Sequence, residues 1–273
     1  RFDFSNITDP AVDAEYDGDI DSLSAIDVSG DVVVVSGQFS GTPGIEILDS
    51  DLNSLGTFDK NDGSFPNSDP INDVVVKGEF AYHFGESGSE FAAYDISDPA
   101  NISLLGTDEN SFGETGNITI KKTIREPVVY ATDTFGALSG RFDITDRTAI
   151  SSFNVSGTEF PPSTSAGIAV NDGYAFGVGD SQVVVSYTGD TANQEAVGTL
   201  SLPDTARGVQ HFDGGLVVAC ESSIVSIDAS DPENLRIDSV DERRGLNATD
   251  MDLGMGATFV SGNGPENGLS IFV

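Results

Sequence analysis

The 273-residue sequence predicts an all-β fold of repeated four-stranded units, on three observations. Short β-branched and apolar runs recur along the whole chain, among them Val32–Val35, Val74–Val76, Val183–Val185 and Leu216–Ala219. Turn-forming pairs such as Asp62-Gly63, Asp172-Gly173 and Gly214-Gly215 punctuate them, as short strands require. The third observation is a pattern, apolar-x-apolar-x-(Gly/Asp)-x-apolar-(Ala/Val)-apolar, that returns about every 45 residues. Acidic, weakly hydrophobic chains are often disordered, but a disordered chain has no reason to keep such patterned runs.

The repeat is clearest in Val74-Val75-Val76-Lys77-Gly78-Glu79-Phe80-Ala81-Tyr82 and in Ile168-Ala169-Val170-Asn171-Asp172-Gly173-Tyr174-Ala175-Phe176. Looser copies start at Ile26, Ile118 (with a short insertion before Val128), Gln210 and Met251. Anchored on the second apolar position, the copies fall at Val28, Val76, Ile120, Val170, Phe212 and Leu253, with spacings of 48, 44, 50, 42 and 41. The second half of each unit is a strand ending in an acidic turn. Phe91-Ala92-Ala93-Tyr94-Asp95-Ile96-Ser97-Asp98-Pro99-Ala100-Asn101 and Ile224–Asn234 are its best copies, with degenerate versions at Ile47–Asp51 and Arg141–Asp146. Asp and Ser here are expected to accept hydrogen bonds from backbone N–H groups two residues on, while Pro stops strand pairing, so these acids read as structural rather than catalytic.

Four strands per unit and six units predict one six-bladed β-propeller domain over residues 1–273. The units run about 22–61, 69–110, 115–158, 164–203, 205–243 and 247–273. The last unit ends at a third strand, Leu269–Val273, and the chain begins in the matching register with Arg1-Phe2-Asp3. Residues 1–18 are therefore expected to close the ring as the missing fourth strand of the last blade.

The copies Gly78-Glu79-Phe80-Ala81-Tyr82, Tyr94-Asp95-Ile96-Ser97-Asp98-Pro99 and Ser226-Ile227-Asp228-Ala229-Ser230-Asp231-Pro232 resemble the LVIVD-type repeat of bacterial and archaeal cell-surface proteins. The third and fourth units depart from it, with Asp146-Arg147 and Gly189-Asp190 in place of Asp-Pro. The resemblance implies an extracellular propeller and brings no catalytic motif with it.

Composition narrows the setting. The formal charge is −33 and the pI near 4.1. Asp outnumbers Glu by 31 to 14, and Lys occurs only at 60, 77, 121 and 122. A folded surface so charged repels itself in dilute buffer, and ~3 Å screening at 1 M salt removes most of that repulsion. The pattern resembles proteins of salt-loving archaea. It argues against nucleic acid and anionic membrane as partners, since phosphate binding needs clustered Lys and Arg. No apolar run approaches the ~18 residues of a membrane span. One Cys allows no internal disulfide, and because the sequence opens on Arg1 a processed or excised segment is expected.

Sites are sparse. Asp17-Gly18-Asp19-Ile20-Asp21 and Asp49-Ser50-Asp51-Leu52-Asn53 alternate oxygen ligands as calcium loops do, but lack the sixth-position Gly and the twelfth-position Glu. Between the two apolar anchors stand Asp27, Val75, Thr119, Ala169, His211 and Asp252. In a closed ring Asp27, Asp252 and His211 fall on neighbouring blades, a candidate cluster for a divalent cation. The competing expectation is that they face channel water or hydrogen-bond one another. No other cofactor is expected. Cys220, inside the run Leu216–Cys220, reads as a buried thiol, and the absence of Trp argues against sugar recognition on aromatic platforms. Sequons place candidate glycosylation at Asn6, Asn101, Asn117, Asn154 and Asn247. The expectation is a non-enzymatic extracellular or cell-surface module that contacts other surface proteins or surface components. The alternative is a hydrolase or lyase acting on an extracellular polymer through carboxylates at the channel mouth.

Overall fold

The computed structural model describes residues 2–3, 11–12, 16, 18–59, 71–85, 91–108, 121–125, 128–132, 139–155, 166–171, 173–187, 196–212, 214–243, 245–254, 257–263 and 268–272. Strands β1 (Phe2–Asp3) and β2 (Ala11–Val12) pair with each other. The first blade is β3 (Ser22–Ser29), β4 (Val32–Phe39), β5 (Thr42–Leu48) and β6 (Ser54–Asp59), hydrogen-bonded in that order. The second is β7 (Ile71–Lys77), β8 (Phe80–Gly85), β9 (Phe91–Asp95) and β10 (Ser103–Asp108). The third is β11 (Lys121–Arg125), β12 (Val128–Thr132), β13 (Ser139–Asp143) and β14 (Ser151–Val155). The fourth is β15 (Gly167–Asn171), β16 (Tyr174–Gly179), β17 (Gln182–Tyr187) and β18 (Ala196–Ser201). The fifth is β19 (Ala206–Phe212), β20 (Gly215–Cys220), β21 (Ser223–Asp228) and β22 (Arg236–Glu242). A three-stranded sheet follows, β23 (Ala248–Gly254), β24 (Ala257–Gly262) and β25 (Gly268–Phe272).

This is the all-β propeller architecture, with a correction to the blade count. The described residues make five four-stranded blades rather than six, because β25 gains no fourth strand among them. The segment expected to supply it instead pairs within itself, Phe2 opposite Val12 and Asp3 opposite Ala11. The first copy expected in the third unit, Ile118–Ile120, lies outside the described residues, as do Asp62-Gly63 and Asp172. Among the described residues no helix is long and apolar enough to cross a membrane.

The chain divides into two compact units, Arg1–Ile120 with Glu126–Val128 and Phe142–Ser152, and Lys121–Arg125 with Val129–Arg141 and Phe153–Val273. In the second unit, strand parity decides which neighbour each side chain meets. Along β20, Leu216, Val218 and Cys220 pack toward the fourth blade with Val178, Val183 and Val185. Val217 and Ala219, on the opposite face, pack toward β23 and β24 with Ala248, Met251 and Val260. A strand buried on both faces has no polar side to spare, and so reads as a continuous apolar run. In the first unit, Val34, Ile45, Ile47 and Phe58 of the first blade likewise meet Val74, Val76, Ala92 and Tyr94 of the second. On β3 the positions equivalent to Val74 and Val76 are Ile26 and Val28, and both are exposed.

Adjacent blades also meet at backbone distance. A Cβ built on Gly56 of β6 would lie 1.8 Å from the carbonyl oxygen of Pro99. On Gly198 of β18 it would lie 2.5 Å from Pro232 O, and on Gly106 of β10 2.6 Å from Arg147 O. In each case the fourth strand of one blade passes beneath the acidic turn of the next. Each glycine also adjoins the register shift of its strand, at Ile47/Leu48, Leu104/Gly106 and Val185/Ser186. The outer strand is bulged and stripped of side chain where the neighbouring turn lands.

That contact predicts Gly56→Ala to destabilise the fold by about 2–3 kcal/mol, the scale of overpacking a rigid site. Gly78→Asn should stay within about 0.5 kcal/mol, since Gly78 has φ +58 with nothing near its Cβ position and Asn tolerates that conformation. Urea denaturation of both variants measures the difference, and equal midpoints would dismiss the contact.

Candidate functional site

The first strands carry the positions that the repeat singled out. The last paired residues of the first strands, Ser29, Lys77, Asn171, Phe212 and Gly254, each face the residue three positions on, so aligning these pairs aligns the strands. Counting back places Val28, Val76, Val170, His211 and Leu253 on one register line and Asp27, Val75, Ala169, Gln210 and Asp252 on the next. The sequence anchor of the fifth unit, Phe212, is therefore one residue late. Gln210 occupies the position assigned to His211, and a one-residue shift in a strand moves a side chain to the opposite face.

The candidate metal residues have other partners. Asp27 Oδ2 accepts a hydrogen bond from the Val76 amide at 2.7 Å, joining the first strands of blades one and two. The His211 ring meets Asn171 Nδ2 at 3.0 Å through Nε2 and lies 6.0 Å from the Phe176 ring, both on blade four. Asp252 Oδ1 accepts from its neighbour Leu253 N at 2.8 Å and from Gln210 Nε2 at 3.4 Å. Among the described residues no three His, Cys, Asp or Glu side chains gather as a metal site requires.

A second feature of the first strands forms a cavity. Four of them skip one residue in their ladder to the second strand: Ser24, Asn72, Arg207 and Thr249. In blade five Glu221 N donates to Thr205 O (2.9 Å), and in the last sheet Asn263 N donates to Asn247 O (3.1 Å), so Glu221 and Asn263 stand at like places beside these bulges. The two corners border an open cavity of about 440 Å³ lined by Arg207, Glu221, Asn247, Ala248, Thr249 and Asn263. Arg207 and Glu221 form an ion pair there, each side chain 42% exposed. The Thr249 hydroxyl meets Ser261 Oγ at 2.8 Å. Sequence reading missed this site. Its one signal was a cation beside Gly208 at the head of an apolar strand, in a chain with only 12 Lys and Arg.

The turn acids do what their spacing predicted. Asp95 Oδ1 accepts from Ser97 N (2.9 Å), Asp143 Oδ1 from Thr145 N (2.8 Å) and Asp228 Oδ1 from Ser230 N (3.0 Å). Asp98 Oδ1 accepts from Ala100 N, and Asp231 Oδ1 from Glu233 N, both at 3.2 Å. Hydrogen bonds from Ser97, Thr145 and Thr148 hold Asp95, Asp143 and Asp146 below the usual carboxylate range. Asp228, bonded by Ser230 and then by Arg236, falls to about 2. Burial works to raise Asp204, but hydrogen bonds from Ser222 and Thr205 outweigh it. The first calcium-like segment places Asp21 Oδ2 on Ser40 N at 2.7 Å, and in the second Asp49 Oδ1 accepts from Asp51 N and Asn53 N at 2.8 and 2.9 Å, the geometry of a turn cap.

Three further groups complete the inventory. Glu46 is fully buried on β5 and accepts from the Tyr16 hydroxyl, whose proton is held to about pH 12 by burial and by that bond. Cys220 is buried, and burial pushes its thiol up to about 11, the opposite of a nucleophile. Of the sequons, Asn101 and Asn247 are exposed, and Asn101 Nδ2 donates to Asp98 Oδ2 at 2.7 Å. Asn6 and Asn117 lie outside the described residues, as does the side chain of Asn154.

No family model matches the chain, and no curated protein matches it in sequence. Solved structures do share its fold. A protein from Lactobacillus plantarum superposes with a TM-score of 0.70 at 14% identity, over 91% of this chain and 80% of that one. A putative 6-phosphogluconolactonase from Bacteroides uniformis gives 0.68 at 13% identity, over 96% and 82%. Virginiamycin B lyase from Staphylococcus aureus gives 0.62 at 11% identity, over 94% and 85%. At such identities the likeness is one of fold alone.

The Asp228 geometry predicts a pH effect. A carboxyl whose folded pKa lies below its unfolded value of ~3.9 stabilises the fold above that value, and the contribution is lost as pH falls toward 2. The urea midpoint of the native chain should therefore fall more steeply between pH 5 and pH 2 than that of Asp228→Asn. Parallel curves would show that the turn does not bind the ionised form preferentially.

Proposed function

We propose that the chain is a non-enzymatic extracellular or cell-surface propeller module of a salt-loving organism, contacting other surface proteins or surface components through its loops. The observation that carries this reading is the state of the acids. Among the described residues, hydrogen bonds hold five carboxylates below their ordinary proton affinity: Asp95, Asp143, Asp146, Asp204 and Asp228. A general acid for hydrolysis or elimination needs the opposite displacement. The likeness of Gly78–Tyr82, Tyr94–Pro99 and Ser226–Pro232 to LVIVD-type repeats supports the surface setting. A charge of −33 with so few Lys supports the saline one.

One observation favours the enzymatic alternative, a hydrolase or lyase of an extracellular polymer. Two proteins of similar fold are named for a lactonase and a lyase activity, and this chain has a polar cavity beside its first strands. The carboxylate in that cavity, Glu221, is engaged by Arg207.

Two measurements test the proposal. The melting temperature should rise by about 10 °C or more between 0.1 M and 2 M KCl, as screening relieves self-repulsion; a flat or falling curve removes the saline setting. In 2 M KCl the immobilised chain should retain proteins of a cell-surface fraction and leave neutral and acidic polysaccharides intact. Release of reducing ends or unsaturated products would establish the enzyme instead.

A further inference from the structure

The bulge corners have a composition that packing does not explain. The residues before the skipped positions, Leu23, Ile71, Ala206 and Ala248, are all apolar, as the repeat demands. The skipped residues themselves, Ser24, Asn72, Arg207 and Thr249, are all polar and all different. At the facing place on the second strand stand Gln38, Glu221 and Asn263, polar and different again. A bulge removes a residue from the ladder and re-aims its side chain, and such bulges cluster beside binding sites. The repeat thus holds an apolar position beside each bulge and varies the polar corner itself.

In the second unit two of these corners, Arg207 with Glu221 and Thr249 with Asn263, border the open 440 Å³ cavity. The volume lies within the ~300–1,000 Å³ range of small-molecule sites, and among the described residues five of the six that line it carry polar side chains, so a wholly apolar ligand is a poor match. An anion would meet the field of a chain at −33 and an arginine already neutralised by Glu221. A cation would meet the guanidinium. What remains is a set of side chains with balanced charge that offers donors and acceptors side by side: a guanidinium, a carboxylate, two carboxamides and a hydroxyl. Adjacent hydroxyls on one ring match such a set.

We infer that the cavity between Arg207–Glu221 and Thr249–Asn263 binds a neutral, polyhydroxylated ligand, a hexose unit of a glycan. It grips the hydroxyl rim by hydrogen bonds, which reconciles the site with a chain that has no Trp for stacking against a sugar face. The inference is independent of the surface role, and either can fail without the other.

The test uses the full chain, produced without glycosylation, with glucose, galactose, mannose and N-acetylglucosamine as probes in separate amide NMR titrations. At least one sugar should shift the signals of Arg207, Glu221, Ala248, Thr249 and Asn263 saturably at millimolar concentration. The Thr249→Val/Asn263→Ala double variant should weaken that sugar at least tenfold with an unchanged melting temperature. Glu221→Gln, which leaves Arg207 uncompensated, should admit acetate where the native chain does not. The inference is overturned if none of the four sugars shifts these signals, if the double variant binds as tightly as the native chain, or if acetate or free arginine shifts the native signals as strongly as any sugar.

Discussion

The close approach of one blade's acidic turn to the previous blade's outer strand is the constraint on which the rest depends. Pro99 O over Gly56 and Pro232 O over Gly198 leave no room for a side chain, so the strand must offer glycine and the turn must hold one shape. The turn's shape is fixed by its own carboxylates. Asp98 and Asp231 each take a backbone N–H two residues on and the carboxamide of Asn101 or Asn234. An Asp at these places thus does two jobs, ending one blade and seating it against the next. Where Pro is replaced by Arg147 the arrangement persists, because Asp146 still accepts from Thr148 N at 3.0 Å and Arg147 O still sits over Gly106. The motif is therefore a matter of the aspartate and the glycine, with the proline dispensable.

Much of this was legible in the sequence because the determinants are local. Asp two residues before a donor and an apolar run between turns are read without knowing what lies across the molecule. What was not legible depends on distant partners. Phe212 passed for a core anchor because it is apolar, yet it is the last paired residue of its strand and 45% exposed, while the core position next to it is filled by a histidine. His211 is tolerated there because Asn171 and Phe176 of the adjoining blade offer its ring one polar contact and one flat one. Periodicity cannot anticipate such a substitution. The last sheet also depends on a distant partner: among the described residues β25 has no fourth strand beside it, and no local motif records which segment would pair there.

The candidate cation cluster shows how a register error becomes a functional one. With Phe212 as anchor, an imidazole joined two carboxylates on one register line, and a metal site followed from the chemistry of the three. Moving the strand by one residue exchanges His211 for Gln210, an amide that donates to Asp252 and competes poorly for a metal. The same shift exposes the bulges, since only the corrected ladders show that Arg207 and Thr249 are skipped at like places.

Seen from the charge, the molecule divides its acids into two populations. One serves turns and caps, where hydrogen bonds favour the ionised form and hold proton affinity down. The other faces solvent and is the source of the self-repulsion. The first population makes the fold depend on ionisation, and the second makes it depend on salt. The acidity is thus partly structural, since the turn acids that seat the blades act in their ionised form.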